Sequence, residues 1–535
     1  MGRRSAFANG LLAVLLVLPA TLPYLNHFLV PHGDRAWPTG LVFLDAPYYL
    51  ANLREHFDTG TFRWLYANGH DWTYDTEHIY FQPWALLVAV GWQISGLSDP
   101  LAAWVVFWAA SALVCCAVII ALFTRVNGLR RLRDHVLLVA FAWGGGLFAL
   151  AGATVSLLDA GNLDGTLRFD PVGGWWALNL GRNLVYPHEA FLHALFLGAL
   201  LTALNGRRGT TVLLALVLSF SHPWTGIQLP LVLLAWVGVE WLASRRSAWL
   251  GFGAAVAGVA AVHILYYKVF LGFFPRHRVV ESQMSTMHWV YGIDTQLLAF
   301  GVVGAAALWC VRSRDAARAH LIRSANRLFA SLALVTLALT NHDLVVSNPI
   351  QPLHFDRGYV YTGLFLFGLP AFHAAADAIG RLRPVVATLL ASLAMGVVLS
   401  DNVAFFGAYL VKPADRARYG FKLTDDERAV MRALDDPELR GATVICSSPE
   451  FEFLVPVMTP LRAWASLNHA IPDNAQRQAE LTRFWSAGAM PTEWSNRRLI
   501  FVFERGAASE AARAAIAATG ATRRGAWPSY EMWYR

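Results

Sequence analysis

Residues 11–30, LLAVLLVLPATLPYLNHFLV, give way to a polar stretch, and the next helix-start signature is Phe43-Leu44-Asp45-Ala46-Pro47-Tyr48-Tyr49-Leu50. At the rise of an α-helix the first run is long enough to cross a bilayer. It continues toward Val30 without a small-residue cleavage site, so it reads as a span rather than a signal peptide, despite the Met1-Gly2-Arg3-Arg4 start. The segment that follows, Pro31 to Gln82, gathers Asp34, Asp45, Glu55, Asp58, Asp71, Asp75 and Glu77 against only Arg35, Arg54 and Arg63. A loop of this length, rich in His and aromatics on an otherwise apolar chain, is expected to be a working surface rather than a connector.

Composition fixes the class. The chain has 535 residues, 56% hydrophobic and 15% charged, with a positive mean hydropathy. That is too apolar for a soluble protein of this length and implies a multi-pass membrane protein. The net charge of +7 comes almost entirely from Arg, since Lys occurs only at 268, 412 and 422. These arginines sit in short connections between apolar runs, where the positive-inside rule accounts for them, so no nucleic-acid partner is implied. Cys115, Cys116 and Cys310 lie in apolar runs and Cys446 stands alone, leaving neither a disulfide framework nor a zinc motif.

The apolar runs fall near 8–30, 102–123, 135–157, 188–204, 210–222, 224–242, 248–271, 293–311, 328–346, 359–376 and 385–406, eleven in all. Counted so, the clusters Arg3/Arg4, Arg125 to Arg133, Arg207/Arg208, Arg245/Arg246, Arg312 to Arg327 and Arg381/Arg383 occupy every second connection, which makes those connections cytoplasmic. The run 83–97 is too short to span and would invert this alternation, so it is expected to lie at the outer interface or dip into the membrane. Pro223 divides 210–222 from 224–242, and the same alternation favours two spans there. With the N-terminus cytoplasmic, the chain beyond Phe406 falls outside. There Thr424-Asp425-Asp426-Glu427 is a capping box opening a helix. Strands at Thr443 to Ser447, Leu499 to Glu504 and 530–534 alternate with helices at 473–487 and 509–519, which implies a small α/β domain. The expected architecture is an all-α polytopic membrane bundle of about eleven transmembrane helices, residues 1–406. It includes a first extracytoplasmic loop, 31–101, with interfacial helices, and is followed by a soluble extracytoplasmic α/β domain, 407–535.

On this topology the polar groups gather at one face. Besides the first loop they include Arg182, His188 and Glu189; Ser221-His222-Pro223; Pro275-Arg276-His277-Arg278 with Glu281; and His342, Asp343, His354, Asp356 and Arg357. An acidic loop facing scattered Arg and His suits transfer from a lipid-linked phosphate: a carboxylate such as Asp45 accepts a proton from an acceptor hydroxyl, and Arg and His stabilise the departing phosphate. Arg suits that task because its fork is bidentate.

Asp45 after the first span, Tyr48/Tyr49 and Arg54 in a helix-like stretch, Tyr74-Asp75-Thr76-Glu77-His78 and the apolar helix from Pro83 together resemble the membrane-integral GT-C glycosyltransferases. The segment Pro456 to Glu480, with Arg462 and His469, is similar to the tail domain of bacterial members. The resemblance implies a bundle of about eleven to thirteen spans, interfacial helices in the first outer loop and an extracytoplasmic C-terminal domain. It also implies a sugar donor carried on polyprenyl phosphate, an extracytoplasmic glycan, lipid or protein acceptor, and a place in the cytoplasmic membrane of the cell envelope. Asp45 matches the loop carboxylate that acts as catalytic base. Arg357 matches a late basic residue suited to the donor phosphate, with His354, Arg276 and Arg278 as further phosphate candidates. Tyr49, Glu77, His78, Arg182, His188, Glu189 and His222 are the substrate or acceptor candidates. Asp45 departs from the family in lacking an adjacent acid, which weakens a metal role, so no metal ligand is assigned.

Blander readings stand beside these. Asp45 directly precedes Ala46-Pro47, the position of a helix N-cap. Asp71, Asp75 and Glu77 read as a solvated loop ahead of acceptor binding, with a divalent cation at His70 or His78 left open. Arg357 and His354 also read as charges flanking a membrane boundary, and Arg182, His188 and Glu189 as a structural salt link. Trp175 and Trp176 on an outer loop could face a sugar or a lipid. Two other functions compete with the transferase: a lipid-linked-substrate transporter or flippase, and a non-catalytic assembly or scaffold protein.

Overall fold

In the computed structural model the described residues are all but 1–2, 42–44, 59–62, 97–99, 172–175, 177, 286–288, 412–419 and 467–470. The chain is built mainly from helices: α1 (Arg3–Leu29), α2 (Ala46–Asp58), α3 (Pro83–Ser95), α4 (Pro100–Val126), α5 (Leu132–Trp143), α6 (Phe148–Ala160), α7 (Leu180–Asn183), α8 (Pro187–Leu204), α9 (Arg208–Ser221), α10 (Pro223–Ser244), α11 (Ser247–Ile264), α12 (Pro275–Ser285), α13 (Ile293–Cys310), α14 (Arg314–Leu321), α15 (Ser324–Thr340), α16 (Tyr359–Gly380) and α17 (Pro384–Val411). Among the described residues eight helices are long and apolar enough to cross a membrane, and the bent pairs α5/α6 and α14/α15 raise this to ten if each is one span. Each of the eleven expected runs falls on one of these or on α9, but α9 has only 14 residues, short of a full span. The run at 83–97 forms the 13-residue helix α3.

The chain divides into two compact units, Met1–Leu22 with Trp108–Tyr267 and Met287–Val411, and Pro23–Phe107 with Lys268–Thr286 and Lys412–Arg535. In the first unit α16 packs against α13 and α15, α10 against α11 and α15, and α8 against α9. A Cβ at Gly363 would stand 2.8 Å from the Ala333 nitrogen and one at Gly368 3.0 Å from Ala306 Cβ, so these glycines set how closely α16 approaches its neighbours. The 66° bend between α5 and α6 is held by polar groups. Asp401 accepts the Gly146 and Ala149 amides at 2.7 and 2.9 Å, and Asn402 donates to the Trp143 carbonyl at 2.7 Å. Backbone freed from a helix at membrane depth needs such partners.

The second unit holds the first loop and an α/β layer. A five-stranded sheet of β3 (Thr443–Cys446), β4 (Arg462–Ala463), β5 (Leu499–Glu504), β6 (Thr522–Ala526) and β7 (Tyr530–Tyr534) runs in the order β4-β3-β5-β7-β6, and β1 (Trp37–Pro38) pairs separately with β2 (Lys422–Leu423). β3 runs parallel to β4 and β5, while β7 runs antiparallel to both of its neighbours. Its helices are α18 (Asp425–Leu434), α19 (Pro449–Met458), α20 (Asn474–Ala487) and α21 (Glu510–Ala518). The expected capping box opens α18, with Thr424 and Glu427 exchanging both bonds. Buried Phe484, Trp485, Trp494, Leu499 and Phe501 form the sheet's core, and Trp72 from the first loop packs against it. Tyr74 ties the same loop down by donating to the Ala442 carbonyl at 2.7 Å and accepting the Arg462 amide at 3.0 Å.

Candidate functional site

Several of the expected polar residues meet inside the first unit, where chain breaks bring helix starts together. Pro187 opens α8 and Pro223 opens α10, positions at which a missing amide hydrogen costs nothing. Glu189 therefore sits in the first turn of α8, where the helix dipole favours an acid. The 3-10 turn Pro352–Phe355 leads through Asp356-Arg357-Gly358 into α16. Arg357 is held at φ 38°, a left-handed conformation that costs a non-glycine residue about 1 kcal/mol or more. Its carbonyl is gripped by Asn183 Nδ2 at 2.9 Å and lies 2.7 Å from His193 Nε2.

These turns aim charged side chains at one another. Arg357 and Glu189, 4% and 2% exposed, form an ion pair, and His188 Nε2 lies 3.5 Å from the same carboxylate. Buried Arg182 donates to Asn183 Oδ1 at 3.0 Å. The Trp176 ring lies beside both guanidiniums, 5.1 Å from Arg182 and 5.5 Å from Arg357. His222 accepts the Thr225 amide at 3.2 Å and lies within electrostatic reach of Arg357, Glu189 and His188. Arg357 Nε has no acceptor among the described residues. His354 is packed among three indoles: it stacks on Trp289 with centroids 5.2 Å apart, and Trp176 and Trp224 lie 4.7 and 5.7 Å away. Next to it Asp356 is fully buried, and Tyr291 donates to its Oδ2 at 2.6 Å. Burial pushes the Asp356 carboxyl up to about 7, against the pull of Tyr291 and of the Gly358 and Val360 amides.

The remaining expected residues belong to the second unit. Asp45 is exposed at the start of α2, and its carbonyl accepts the Tyr49 amide at 3.2 Å, the N-cap position that Pro47 foretells. The Tyr49 ring meets Trp84 edge-on at 5.1 Å. Arg276 grips buried Asp71 in a two-bond fork of 2.7 and 2.5 Å, whereas Arg278 is exposed. The Tyr80 hydroxyl lies 3.1 Å from His277 Nδ1, and burial holds that imidazole below its ordinary value. His78 pairs with Glu55 and lies 2.6 Å from Arg63, while Glu77 is exposed. Among the described residues no group of three His, Cys, Asp or Glu side chains is placed to hold a metal ion. Trp175 and His469 lie outside the described residues.

No protein-family model matches the sequence, and no curated protein sequence matches it either. Solved structures do match. The archaeal oligosaccharyltransferase AglB from Archaeoglobus fulgidus, in complex with an inhibitory peptide and a dolichol-phosphate, is 10% identical and superposes with a TM-score of 0.52 over 92% of this chain and 69% of its own. ArnT from Cupriavidus metallidurans, bound to undecaprenyl phosphate, is 14% identical with a TM-score of 0.50 over 97% of both chains. The chain has the GT-C fold. At such identities the likeness establishes architecture, and roles for this chain's residues must come from its own geometry.

Within the GT-C fold, sequence reasoning singled out Arg182, His188, Glu189, His222 and Arg357, and the structure brings these together. It passed over His193, although that residue stands four positions after Glu189 on one helix face. Asp356 is visible in the His354 to Tyr359 stretch, but no pattern there gives it a role. Trp176 and Tyr291 come from irregular segments, where no periodicity could have assigned them to this cluster.

Proposed function

We propose that this chain is an integral-membrane glycosyltransferase that moves a sugar from a polyprenyl-phosphate donor to an extracytoplasmic glycan, lipid or protein acceptor. The observation that carries the reading is the cluster of buried Arg182, Arg357, His222 and Glu189 with half-buried His188 in a chain of GT-C fold. Two guanidiniums and two imidazoles at adjoining helix starts suit a phosphate, which Arg binds through its planar fork. Structures of the same fold are bound to dolichol-phosphate and undecaprenyl phosphate.

In the proposed reaction Asp45 takes the proton from the acceptor hydroxyl. The acceptor oxygen then forms a bond to the anomeric carbon, the bond from that carbon to the phosphate oxygen breaks, and polyprenyl phosphate leaves with the electron pair. Arg357 stabilises the charge on the leaving phosphate, and its Nε supplies the donor that Glu189 does not use. Arg278, exposed on α12, is the further phosphate contact proposed for that segment. By the positive-inside rule the arginine-rich connections face the cytoplasm, and the C-terminal α/β segment then faces outward across the cytoplasmic membrane.

The test uses purified full-length chain, a radiolabelled lipid-linked sugar extract and a membrane-glycan acceptor fraction, with polyprenyl phosphate release as the readout. Asp45→Asn is expected to abolish transfer while leaving thermal unfolding unchanged, because Asp45 is exposed. Full turnover in that variant would sink its assignment as base. One observation favours a second reading, a non-catalytic assembly protein: Glu189 already pairs with Arg357. Saturable binding of polyprenyl phosphate with no turnover of any donor would select it.

A further inference from the structure

A cavity of about 490 Å³ lies in the first unit at the opposite ends of α8 and α10 from the Glu189–Arg357 cluster, lined by Arg125, Arg208, Arg323, Trp236, Trp249 and Phe252 among others. The Arg208 guanidinium lies 4.6 Å from the Trp249 ring centroid and 5.7 Å from that of Phe252, and donates to the Ala248 carbonyl at 2.8 Å. Arg125 donates to Asn205 Oδ1 at 2.9 Å and to the Leu204 carbonyl at 3.2 Å. Arg323 is exposed. Among the described residues none of these three arginines forms an ion pair with a carboxylate. Glu240, the nearby acid, is taken by Arg327 at 2.8 and 2.9 Å and by Ser324 at 2.6 Å.

Positive-inside placement explains arginines in these connections but not their convergence on one hollow. Charges that serve only orientation project into water. Here one guanidinium stands over the Trp249 and Phe252 rings, and three cations share a space that buried Trp236 and Phe252 also line. A polar mouth over an apolar wall fits an amphiphile with an anionic head. We propose that this cavity binds the phosphodiester headgroup of an anionic phospholipid from the leaflet at the arginine-bearing ends, with an acyl chain against Trp236 and Phe252. The recognising chemistry, phosphate against guanidinium, is shared with soluble phosphate esters. The apolar wall is what favours the lipid.

Native mass spectrometry of delipidated full-length chain tests this, with phosphatidylglycerol in one arm and glycerol 1-phosphate in the other. The expected result is one saturable phosphatidylglycerol, weakened at least tenfold in the double variant Arg208→Ala/Arg323→Ala. The control Arg381→Ala/Arg383→Ala, which changes arginines outside the cavity, is expected to bind as the unmodified chain does. Equal binding by all three proteins would overturn the site. Glycerol 1-phosphate bound as tightly as the lipid would overturn the lipid as its occupant. If the double variant unfolds, Arg323→Gln alone reads the same comparison, because that side chain is exposed.

Discussion

Arg357 and Glu189 are each almost wholly buried, so the pair is a liability unless both members are present. Removing one partner of a buried ion pair costs about 3–5 kcal/mol because the other charge is left without compensation, whereas replacing both with apolar groups is often near neutral. Arg357→Met alone is therefore expected to lower thermal stability strongly, and Glu189→Leu/Arg357→Met to recover most of the loss. If the pair serves catalysis, the recovered double variant stays inactive, and restored turnover would show the pair to be structural only. Asp356 supplies a pH signature. Its carboxyl titrates at about 7 in the folded chain against an ordinary 3.8, so the folded state holds a proton that the unfolded state releases between those values. Its stabilising contribution is full below pH 4 and is lost as pH rises toward 7, with a slope of at most about 1.4 kcal/mol per pH unit. Asp356→Asn is expected to flatten that part of the stability profile, and an unchanged profile in denaturant titrations would assign the slope elsewhere. The arginines and histidines of this cluster were legible as residue types at helix starts. That Glu189 closes on Arg357 was not, because their meeting depends on packing between segments 168 residues apart.

At the scale of elements, length and hydropathy made the long helices legible, since a bilayer imposes about twenty apolar residues on any span. What escaped were elements fixed by partners rather than by local pattern. β1, β2 and β4 have two residues each and exist only through pairing with distant chain. α19, Pro449-Glu450-Phe451-Glu452-Phe453-Leu454-Val455, alternates like a strand, yet Ser448 caps it as a helix. β6 is Thr-Arg-Arg-Gly-Ala, too polar to read as a strand because it lies at the sheet edge and faces water. The break between α5 and α6 belongs to the same class, for its cap comes from Asp401 far along the chain. Asp401→Ala would leave the Gly146 and Ala149 amides without an acceptor, at about 2 kcal/mol or more. Asp401→Asn keeps one oxygen and is expected to lose roughly half as much. Unfolding midpoints in detergent distinguish the two, and equal midpoints for Asp401→Ala and the unmodified chain would remove Asp401 as the cap.

At the scale of the whole chain, the distribution of arginine carries the argument for orientation. The clusters at 125–133, 207–208, 245–246, 312–327 and 381–383 occur at alternate connections of the helix order, and the cytoplasmic side proposed for them rests on the cost of moving cations across a membrane. If α9 joins the long helices and the bent pairs as a crossing, the number of crossings before residue 412 is odd, and the sheet-forming segment Thr443–Tyr534 emerges opposite the N-terminus. Were α9 not a crossing, the connections after it would exchange sides and the alternation of charge would be lost. Single cysteines placed in a chain whose own four cysteines, all buried, have been replaced can decide between these. In intact cells a membrane-impermeant maleimide is expected to label Ser495→Cys and Glu510→Cys but not Arg246→Cys or Arg381→Cys, and all four after permeabilisation. Labelling of Arg381→Cys in intact cells would place that connection outside and overturn the proposed orientation.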